Sequence, residues 1–201
     1  MSSEIINIKN AAFLKSAPNL VQSPPDTGIE IAFVGRSNAG KSSALNAIVN
    51  QHHLARSSKT PGRTQLINYF RIDDDRRLVD LPGYGFADVP EKTRRQIEVI
   101  LNSYLSERVC LYGVVLMMDI RHPLTKNDVA LLDFITSVEK PVHILLTKCD
   151  KISRSQANQT LLSVKDKLSS NGGQISIQNF SALKNIGIEQ AQDKLVEWFQ
   201  F

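Results

Sequence analysis

The stretch that decides the fold reads Glu30-Ile-Ala-Phe-Val34 followed by Gly35-Arg-Ser-Asn-Ala-Gly40-Lys41-Ser42. A short apolar run of this kind, closed by glycine, is typical of a strand buried on both faces of a parallel sheet. The second half matches G-x-x-x-x-G-K-[ST], and residues that favour a helix follow it as far as Asn50. In that setting the glycines let successive backbone N–H groups point at a phosphate, and the helix N-terminus adds positive potential. The alternative, a chance glycine-rich turn, does not account for four fixed positions between a strand and a helix.

Strand and helix patterns alternate along the rest of the chain. Segments 66–72 and 77–80 flank an acidic turn and predict an antiparallel hairpin, and Gly187 precedes a last helical repeat. Further strands are predicted at 111–118, 142–146 and 174–180, and further helices at 91–105, 125–137 and 153–168. Short right-handed connections then give an α/β fold, a mostly parallel six-stranded sheet with one antiparallel hairpin strand and helices on both faces. Residues 1–28, which contain three prolines, predict an irregular N-terminal arm, and 29–201 a single domain.

Composition sets limits on the class of protein. The 201 residues, 42% of them hydrophobic, suffice for one compact core. No run of apolar residues is long enough to cross a bilayer, and the N-terminus lacks the pattern of a secretory signal, so we expect a cytoplasmic protein without membrane contact. Cys110 and Cys149 lie in apolar runs and form no C-x-x-C pair, which indicates reduced buried thiols.

A second motif, Asp80-Leu81-Pro82-Gly83, closes another apolar strand about forty residues after Lys41. In a phosphate-binding protein Lys41 would bridge the β- and γ-phosphates and the Ser42 hydroxyl would ligate Mg²⁺. Asp80 would then hold a water bound to Mg²⁺, and the Gly83 N–H would reach the γ-phosphate. The alternative is an isolated turn that has no ligand.

The motif Thr147-Lys148-Cys149-Asp150 follows the apolar run 142–146 and separates guanine from adenine. A carboxylate at Asp150 can accept both the N1–H and the exocyclic N–H of guanine, whereas adenine has no proton on N1. The stem of Lys148 can lie over the purine ring. Phe180-Ser181-Ala182 comes one strand–helix unit later, where a backbone N–H of Ser181-Ala182 would meet guanine O6. Without the other motifs, both segments would read as polar strand ends.

Between the two phosphate motifs lies a polar segment, 57–65, with the character of a switch loop. One threonine there must complete the Mg²⁺ shell, and the residues alone leave Thr60 and Thr64 as alternatives. The segment from Ile31 to Ile72 has no acidic residue and carries six Lys and Arg residues, so it is compatible with contact to an RNA backbone.

The motif combination resembles the EngB (YihA/YsxC) family of bacterial GTPases over nearly the whole chain. The matching motifs are the phosphate-binding loop 35–42, T-P-G-R-T-Q at 60–65, D-L-P-G-Y-G at 80–85, D-I-R-H-P at 119–123, and T-K-C-D at 147–150. The resemblance implies a P-loop GTPase fold, Thr64 as the Mg²⁺ ligand, Gly62 to Leu66 along the nucleotide, and Thr147 in place of the more general asparagine. It also implies a role in assembly of the large ribosomal subunit, through rRNA and ribosomal proteins, and in normal cell division and septation. No chemistry is assigned to D-I-R-H-P.

The expected site therefore has three sets of residues. The expected catalytic residues are Lys41, Thr64 and Gly83, and the expected metal ligands are Ser42, Thr64 and, through water, Asp80. The expected nucleotide contacts are Gly35, Arg36, Ser37, Asn38, Ala39, Gly40, Lys41, Ser42, Gly62, Arg63, Thr64, Gln65, Leu66, Asp80, Leu81, Pro82, Gly83, Thr147, Lys148, Cys149, Asp150, Phe180, Ser181 and Ala182.

The expected activity is slow, Mg²⁺-dependent hydrolysis of GTP to GDP by a monomer that acts as a conformational switch. Tyr84 stands where many switch GTPases have the glutamine that orients the attacking water, and a phenol cannot replace an amide in that role. Asn38 has two interpretations, a residue suited to a tight turn or a ligand for K⁺. The competing classes are an ATP-dependent small-molecule kinase, which gives no reason for T-K-C-D, and an interaction protein that binds GTP without turnover.

Overall fold

The computed structural model describes residues 6–55, 66–85, 89–169 and 174–201. Its strands are β1 (Ala12–Ala17), β2 (Ile29–Gly35), β3 (Ile67–Arg71), β4 (Arg76–Asp80), β5 (Leu111–Asp119), β6 (Val142–Thr147) and β7 (Ile175–Asn179). Its α-helices are α1 (Lys41–Ile48), α2 (Glu91–Glu107), α3 (Lys126–Ser137), α4 (Arg154–Leu168) and α5 (Ile188–Trp198). The strands form one sheet in the order β1-β3-β4-β2-β5-β6-β7, in which β3 runs antiparallel to both of its neighbours and the other pairs are parallel.

The sheet has seven strands rather than the predicted six, because residues expected in an irregular arm form β1. This strand pairs with β3 along its outer edge, and Ser16 Oγ donates to Asn68 Oδ1 at 2.6 Å. Leu14 interrupts the register as a bulge, which is common at a sheet edge. Most side chains of β1 are exposed, so the segment lacks the apolar alternation by which a strand is recognised. Its pairing depends on the free edge of β3, more than fifty residues away.

Helices cover both faces of the sheet, which confirms the α/β fold. Leu45 of α1 and Leu195 of α5 are buried on one face together with Phe33 of β2. Leu101 of α2 and Leu132 of α3 are buried on the other face, in a cluster that also reaches α4. Within the described residues, no helix is both long enough and apolar enough to pass through a lipid bilayer.

A buried ionic cluster fixes the segment that precedes β2. The fully buried carboxylate of Glu30 accepts from Arg77 Nε at 2.8 Å, from Arg108 at 2.7 and 2.9 Å, and from Tyr104 Oη at 2.6 Å. The same two guanidinium groups donate to backbone carbonyls of Pro24 and Pro25. Because each ion in the cluster has several hydrogen-bonding partners, the cost of burying the charges is offset. The proline-rich segment is thereby held against the amino ends of the strands.

The strand order brings the predicted motifs to one edge of the sheet. Phe33 pairs with Asp80, Asp119 with Thr147, and Leu146 with Asn179, so the loops after β2, β4, β5, β6 and β7 leave the sheet side by side. In open α/β sheets this carboxyl edge is where ligands bind.

Candidate nucleotide site

The phosphate-binding loop is shaped by three residues. A Cβ at Gly35 would lie 3.0 Å from the Met117 Cβ and carbonyl on β5, so any larger residue would require β5 to shift. Asn38 has φ of 64° and Gly40 has φ of 90°, both in the left-handed region. Asn and Gly are the residues that adopt this region most readily, so they allow the tight turn between β2 and α1.

The N-terminus of α1 has no side-chain cap. Within the described residues, the backbone N–H groups of Lys41, Ser42 and Ser43 have no acceptor. By contrast, α3 and α4 are each closed by a capping box, formed by Thr125 with Asp128 and by Ser153 with Gln156. The first turn of α1 therefore offers free donors and the positive end of its dipole to an anion.

Lys41 and Asp80 lie together at the centre of the carboxyl edge. The Lys41 ammonium forms an ion pair with the Asp80 carboxylate, and both side chains are largely buried, at 14% and 8% exposure. Asn68 Nδ2 lies 3.4 Å from the other carboxylate oxygen. The structure thus places an ammonium and a carboxylate together beside the first turn of α1, the turn that also contains Ser42.

Thr147 is buried and does not face the open edge. Its hydroxyl lies 2.7 Å from the Ala39 carbonyl and 3.2 Å from the Met118 carbonyl, so its one proton is shared between two backbone acceptors. The side chain therefore ties the end of β6 to the phosphate-binding loop and to β5. A hydroxyl suffices for this, which gives a physical reason for threonine here.

Asp119 is a member of the site to which the sequence assigned no role. Its carboxylate accepts from Lys148 Nζ at 3.0 Å and from the Arg121 guanidinium at 2.6 and 2.9 Å. Burial alone would raise the pKa of Asp119, but the hydrogen bonds from Arg121 and Lys148 hold it well below its usual range. Lys148 Nζ also donates to the Asn38 carbonyl at 2.6 Å. Asp119 therefore fixes the Lys148 stem against the phosphate-binding loop. In the sequence, the only feature that could have indicated this role is the position of D-I-R-H-P at a strand end.

Asp150 is oriented by Ser181. Ser181 Oγ donates to Asp150 Oδ1 at 2.6 Å, and this hydrogen bond is the main cause that lowers the pKa of Asp150. The Asp150 side chain is 8% exposed, and its second oxygen lies 3.7 Å from Lys151 Nζ. A fixed, ionised carboxylate with one oxygen not engaged by Ser181 can accept two parallel N–H groups.

The segment after β7 presents one backbone donor. The Ser181 N–H donates to the Ile186 carbonyl at 3.0 Å, while the Ala182 N–H has no acceptor within the described residues. Of the two N–H groups expected near a base, Ala182 supplies the free one.

Several predicted contacts can involve only backbone atoms, since their apolar side chains are buried. These are Ala39, Leu81, Pro82, Cys149 and Phe180. The Cys149 N–H donates to the Phe180 carbonyl at 3.2 Å, which holds the two base-side segments together. Cys110 and Cys149 are free and buried, as predicted.

Tyr84 is buried and committed to a structural contact. Its hydroxyl donates to the buried Asp128 Oδ1 at 2.7 Å, and burial raises the pKa of Tyr84 well above its usual range. Its backbone also pairs with the phosphate-binding loop, because the Ser37 N–H donates to the Tyr84 carbonyl at 2.8 Å. The side chain therefore faces α3.

Part of the predicted site lies outside the described residues. Gly62, Arg63, Thr64 and Gln65, together with the alternative Thr60, belong to this part. Leu66, the next described residue, is 37% exposed and directly precedes β3.

Comparison with known proteins agrees with this geometry. A family model described as "50S ribosome-binding GTPase" matches residues 30–148. Over 200 residues the chain is 52% identical to a probable GTP-binding protein EngB of Colwellia psychrerythraea, covering 100% of this chain and 89% of the relative. It is 53% identical over 190 residues to the EngB of Methylobacillus flagellatus, covering 94% and 92%. A crystal structure of a probable GTP-binding protein EngB superposes with a TM-score of 0.69 at 22% identity, covering 85% of this chain and 98% of that one. The chain belongs to the EngB family of GTP-binding proteins.

Proposed function

We propose that this protein is a switch that binds GTP with Mg²⁺, hydrolyses it slowly to GDP, and acts in assembly of the large ribosomal subunit. The observation that carries the nucleotide part is the meeting, at one sheet edge, of the uncapped α1 N-terminus, the Lys41–Asp80 pair and the Asp150–Ser181 pair. The first two features suit a polyphosphate, and the third suits a guanine ring.

Base selection is assigned to the loops after β6 and β7. Asp150 would accept the N1–H and the amino group of guanine, while the Ala182 N–H would donate to O6. The stem of Lys148, fixed by Asp119 and the Asn38 carbonyl, would lie over the purine. Adenine would leave the Asp150 carboxylate facing an unprotonated N1.

The residues present suit a Mg²⁺ ion beside the phosphates. Ser42 offers a hydroxyl oxygen and Asp80 a buried carboxylate, the hard oxygen donors that Mg²⁺ prefers. The resemblance to the EngB family implies that Thr64 is the third residue that would hold the Mg²⁺ ion. When bound, Mg²⁺ would neutralise charge that develops on the phosphate oxygens.

Hydrolysis is expected to be slow because Tyr84 is unsuited to orient the attacking water. The phenol is held by Asp128, so stabilisation must come from Lys41 and the loop N–H groups. Loss of the γ-phosphate would then release Thr64 and Gly83 and alter the surface shown to a partner. Asn38 keeps both interpretations: its φ of 64° suits a turn, and its exposed side chain is accessible to a K⁺ ion at the phosphates.

The ribosomal part rests on the family. The matching family model is described as ribosome-binding, and the acid-free basic segment 31–72 is compatible with rRNA. A cytoplasmic monomer with a role in cell division and septation belongs to the same proposal.

Single-turnover GTP hydrolysis tests these assignments together. The rate would be measured with and without purified large ribosomal subunits, in K⁺ and in Na⁺ at matched ionic strength, for the parent and for Asn38→Ala. We expect slow turnover alone and GTP-dependent association with the subunits. If K⁺ stimulates hydrolysis by the parent but not by Asn38→Ala, Asn38 is a ligand for the cation. If the parent hydrolyses GTP equally fast in both salts, Asn38 serves only to form the turn. If association with the large subunit is the same with GTP, with GDP and without nucleotide, the protein is not a ribosomal switch.

A further inference from the structure

The loops around the proposed guanine end of the site carry an excess of positive charge. Segments 119–126, 147–154 and 181–187 follow β5, β6 and β7 and leave the sheet side by side. Together they hold six Lys and Arg residues and two acidic residues. Five of the six cations form a surface that we call the cationic rim: Arg121, Lys126, Lys151, Arg154 and Lys184. The sixth, Lys148, points toward the phosphate-binding loop.

The two acids of these segments are already engaged inward. Asp119 accepts from Arg121 and Lys148, and Asp150 accepts from Ser181. They are 17% and 8% exposed, so little of their charge faces solvent. The charge that these three segments expose is therefore cationic, and the exposed acid Glu189 follows only in the first turn of α5.

Three rim residues carry charges that are not neutralised by an ion pair within the described residues. Lys126, Arg154 and Lys184 are exposed, one on each loop system, and none forms a salt bridge within the part of the chain that the structure describes. Lys126 and Arg154 begin α3 and α4, so the positive ends of two helix dipoles point the same way. Cations placed at helix N-termini are unfavourable for helix stability, so Lys126 and Arg154 do not stabilise the fold through the helix dipoles.

We propose that the cationic rim binds the phosphate backbone of RNA next to the bound guanine nucleotide. Point charges on separate loops neutralise phosphates without an apolar centre, whereas a protein partner normally needs buried apolar anchors. The loops after β5 and β6, which carry four of the five rim cations, expose no large apolar side chain, and the exposed Leu183 and Ile186 are confined to the loop after β7. Since Lys148 and Asp150 lie in the same loops, the RNA would contact the segments that read the base. This assignment rests on the proposed function, in which the RNA that the rim binds is rRNA of the large subunit.

The test neutralises one unpaired cation per loop in Lys126→Gln/Arg154→Gln/Lys184→Gln. The matched control, Lys15→Gln/Lys165→Gln/Lys167→Gln, removes the same charge from exposed positions on β1 and at the C-terminal end of α4. The probe is a fluorescein-labelled 20-base-pair RNA duplex, titrated across KCl concentrations. We expect the rim variant to lose at least tenfold affinity and to flatten the slope of log K against log salt by about 2–3. The control should change affinity by less than twofold, and both variants should keep their GDP affinity.

Co-sedimentation with large ribosomal subunits separates this inference from the proposed function. Subunit binding lost in the rim variant but kept in the control supports the rim. Subunits that bind the rim variant as well as the parent, or RNA affinity that falls equally in both variants, would overturn it while the switch function stands. Unchanged duplex binding with reduced subunit binding would mean that an acidic protein surface meets the rim, which also overturns the RNA assignment. Failure of the parent to bind subunits rejects the ribosomal role, and the duplex titration still decides the rim.

Discussion

At the scale of single residues, the site depends on side chains that orient one another. Ser181 fixes Asp150, Asp119 fixes Lys148, and Thr147 holds the phosphate-binding loop. In each case a short polar group from one loop sets the position of a group in another loop. The side of the site that would contact the base is therefore already ordered by contacts within the protein, before any nucleotide binds.

Asp150→Asn should shift the preference of the protein from guanine toward xanthine. The NH₂ group that replaces one carboxylate oxygen cannot accept from the guanine amino group, but it can donate to the O2 that replaces this group in xanthine. Loss of a hydrogen bond to a charged group costs about 1.5–3 kcal/mol, so GTP affinity should fall roughly 10- to 100-fold. Titration with fluorescent analogues of GTP and XTP measures both changes. Asp166→Asn, an exposed acid on α4, is the control, and unchanged GTP affinity in Asp150→Asn would remove Asp150 from the site.

At the scale of elements, Tyr84 connects the segment after β4 to α3. Its hydroxyl reaches Asp128, whose other oxygen accepts from the Thr125 backbone and hydroxyl in the capping box of α3. Tyr84 thus links the end of the D-L-P-G motif to the phosphate-binding loop through its backbone and to α3 through its side chain.

Tyr84→Phe should lower the free energy of unfolding by about 1–3 kcal/mol, because one oxygen of the buried Asp128 loses its partner. If the phenol takes no part in positioning water, the single-turnover rate should change by less than about threefold. Urea denaturation and quenched hydrolysis measure the two effects. Tyr112→Phe serves as the control, since the Tyr112 hydroxyl forms no hydrogen bond within the described residues. A large rate loss with unchanged stability would make Tyr84 a catalytic residue.

At the scale of the whole molecule, His143 makes stability depend on pH. It is 2% exposed on β6, with Nδ1 2.7 Å from Ser176 Oγ and Nε2 2.9 Å from Gln178 Oε1. Burial lowers the pKa of His143 to about 4, against the opposing effect of Gln178. The unfolded chain, with a histidine pKa of about 6.5, binds this proton more readily. Stability is therefore fully present above pH 6.5 and falls as the pH drops toward 4.

Between pH 7 and pH 5 the parent should lose about 2 kcal/mol of unfolding free energy through this group. Urea denaturation at several pH values measures the loss, and His143→Gln should show a flatter dependence over the same range. Equal slopes in the parent and in His143→Gln would contradict the assignment.

The sequence by itself determined the order of elements from β2 onward and the loops that carry the site. Strands and helices follow from local apolar period, and the G-x-x-x-x-G-K-[ST], D-x-x-G and T-K-C-D motifs are contiguous in the chain. The motifs also fall at strand ends, and the carboxyl ends of parallel strands meet at one edge whatever the details of packing. The predicted position of the nucleotide site needs nothing beyond these local patterns.

Only the tertiary structure decided the features that depend on partners distant in sequence. β1 exists because the outer edge of β3 accepts it, and its own residues have no strand pattern. The roles of Asp119 and Thr147 become visible only once β5 and β6 are adjacent, since the carboxylate needs its donors, and the hydroxyl its acceptors, to be placed first. The burial of Glu30 likewise requires Arg77 and Arg108 from two other segments. Local propensity cannot specify such pairs, because their free energy arises from contacts that the assembled sheet creates.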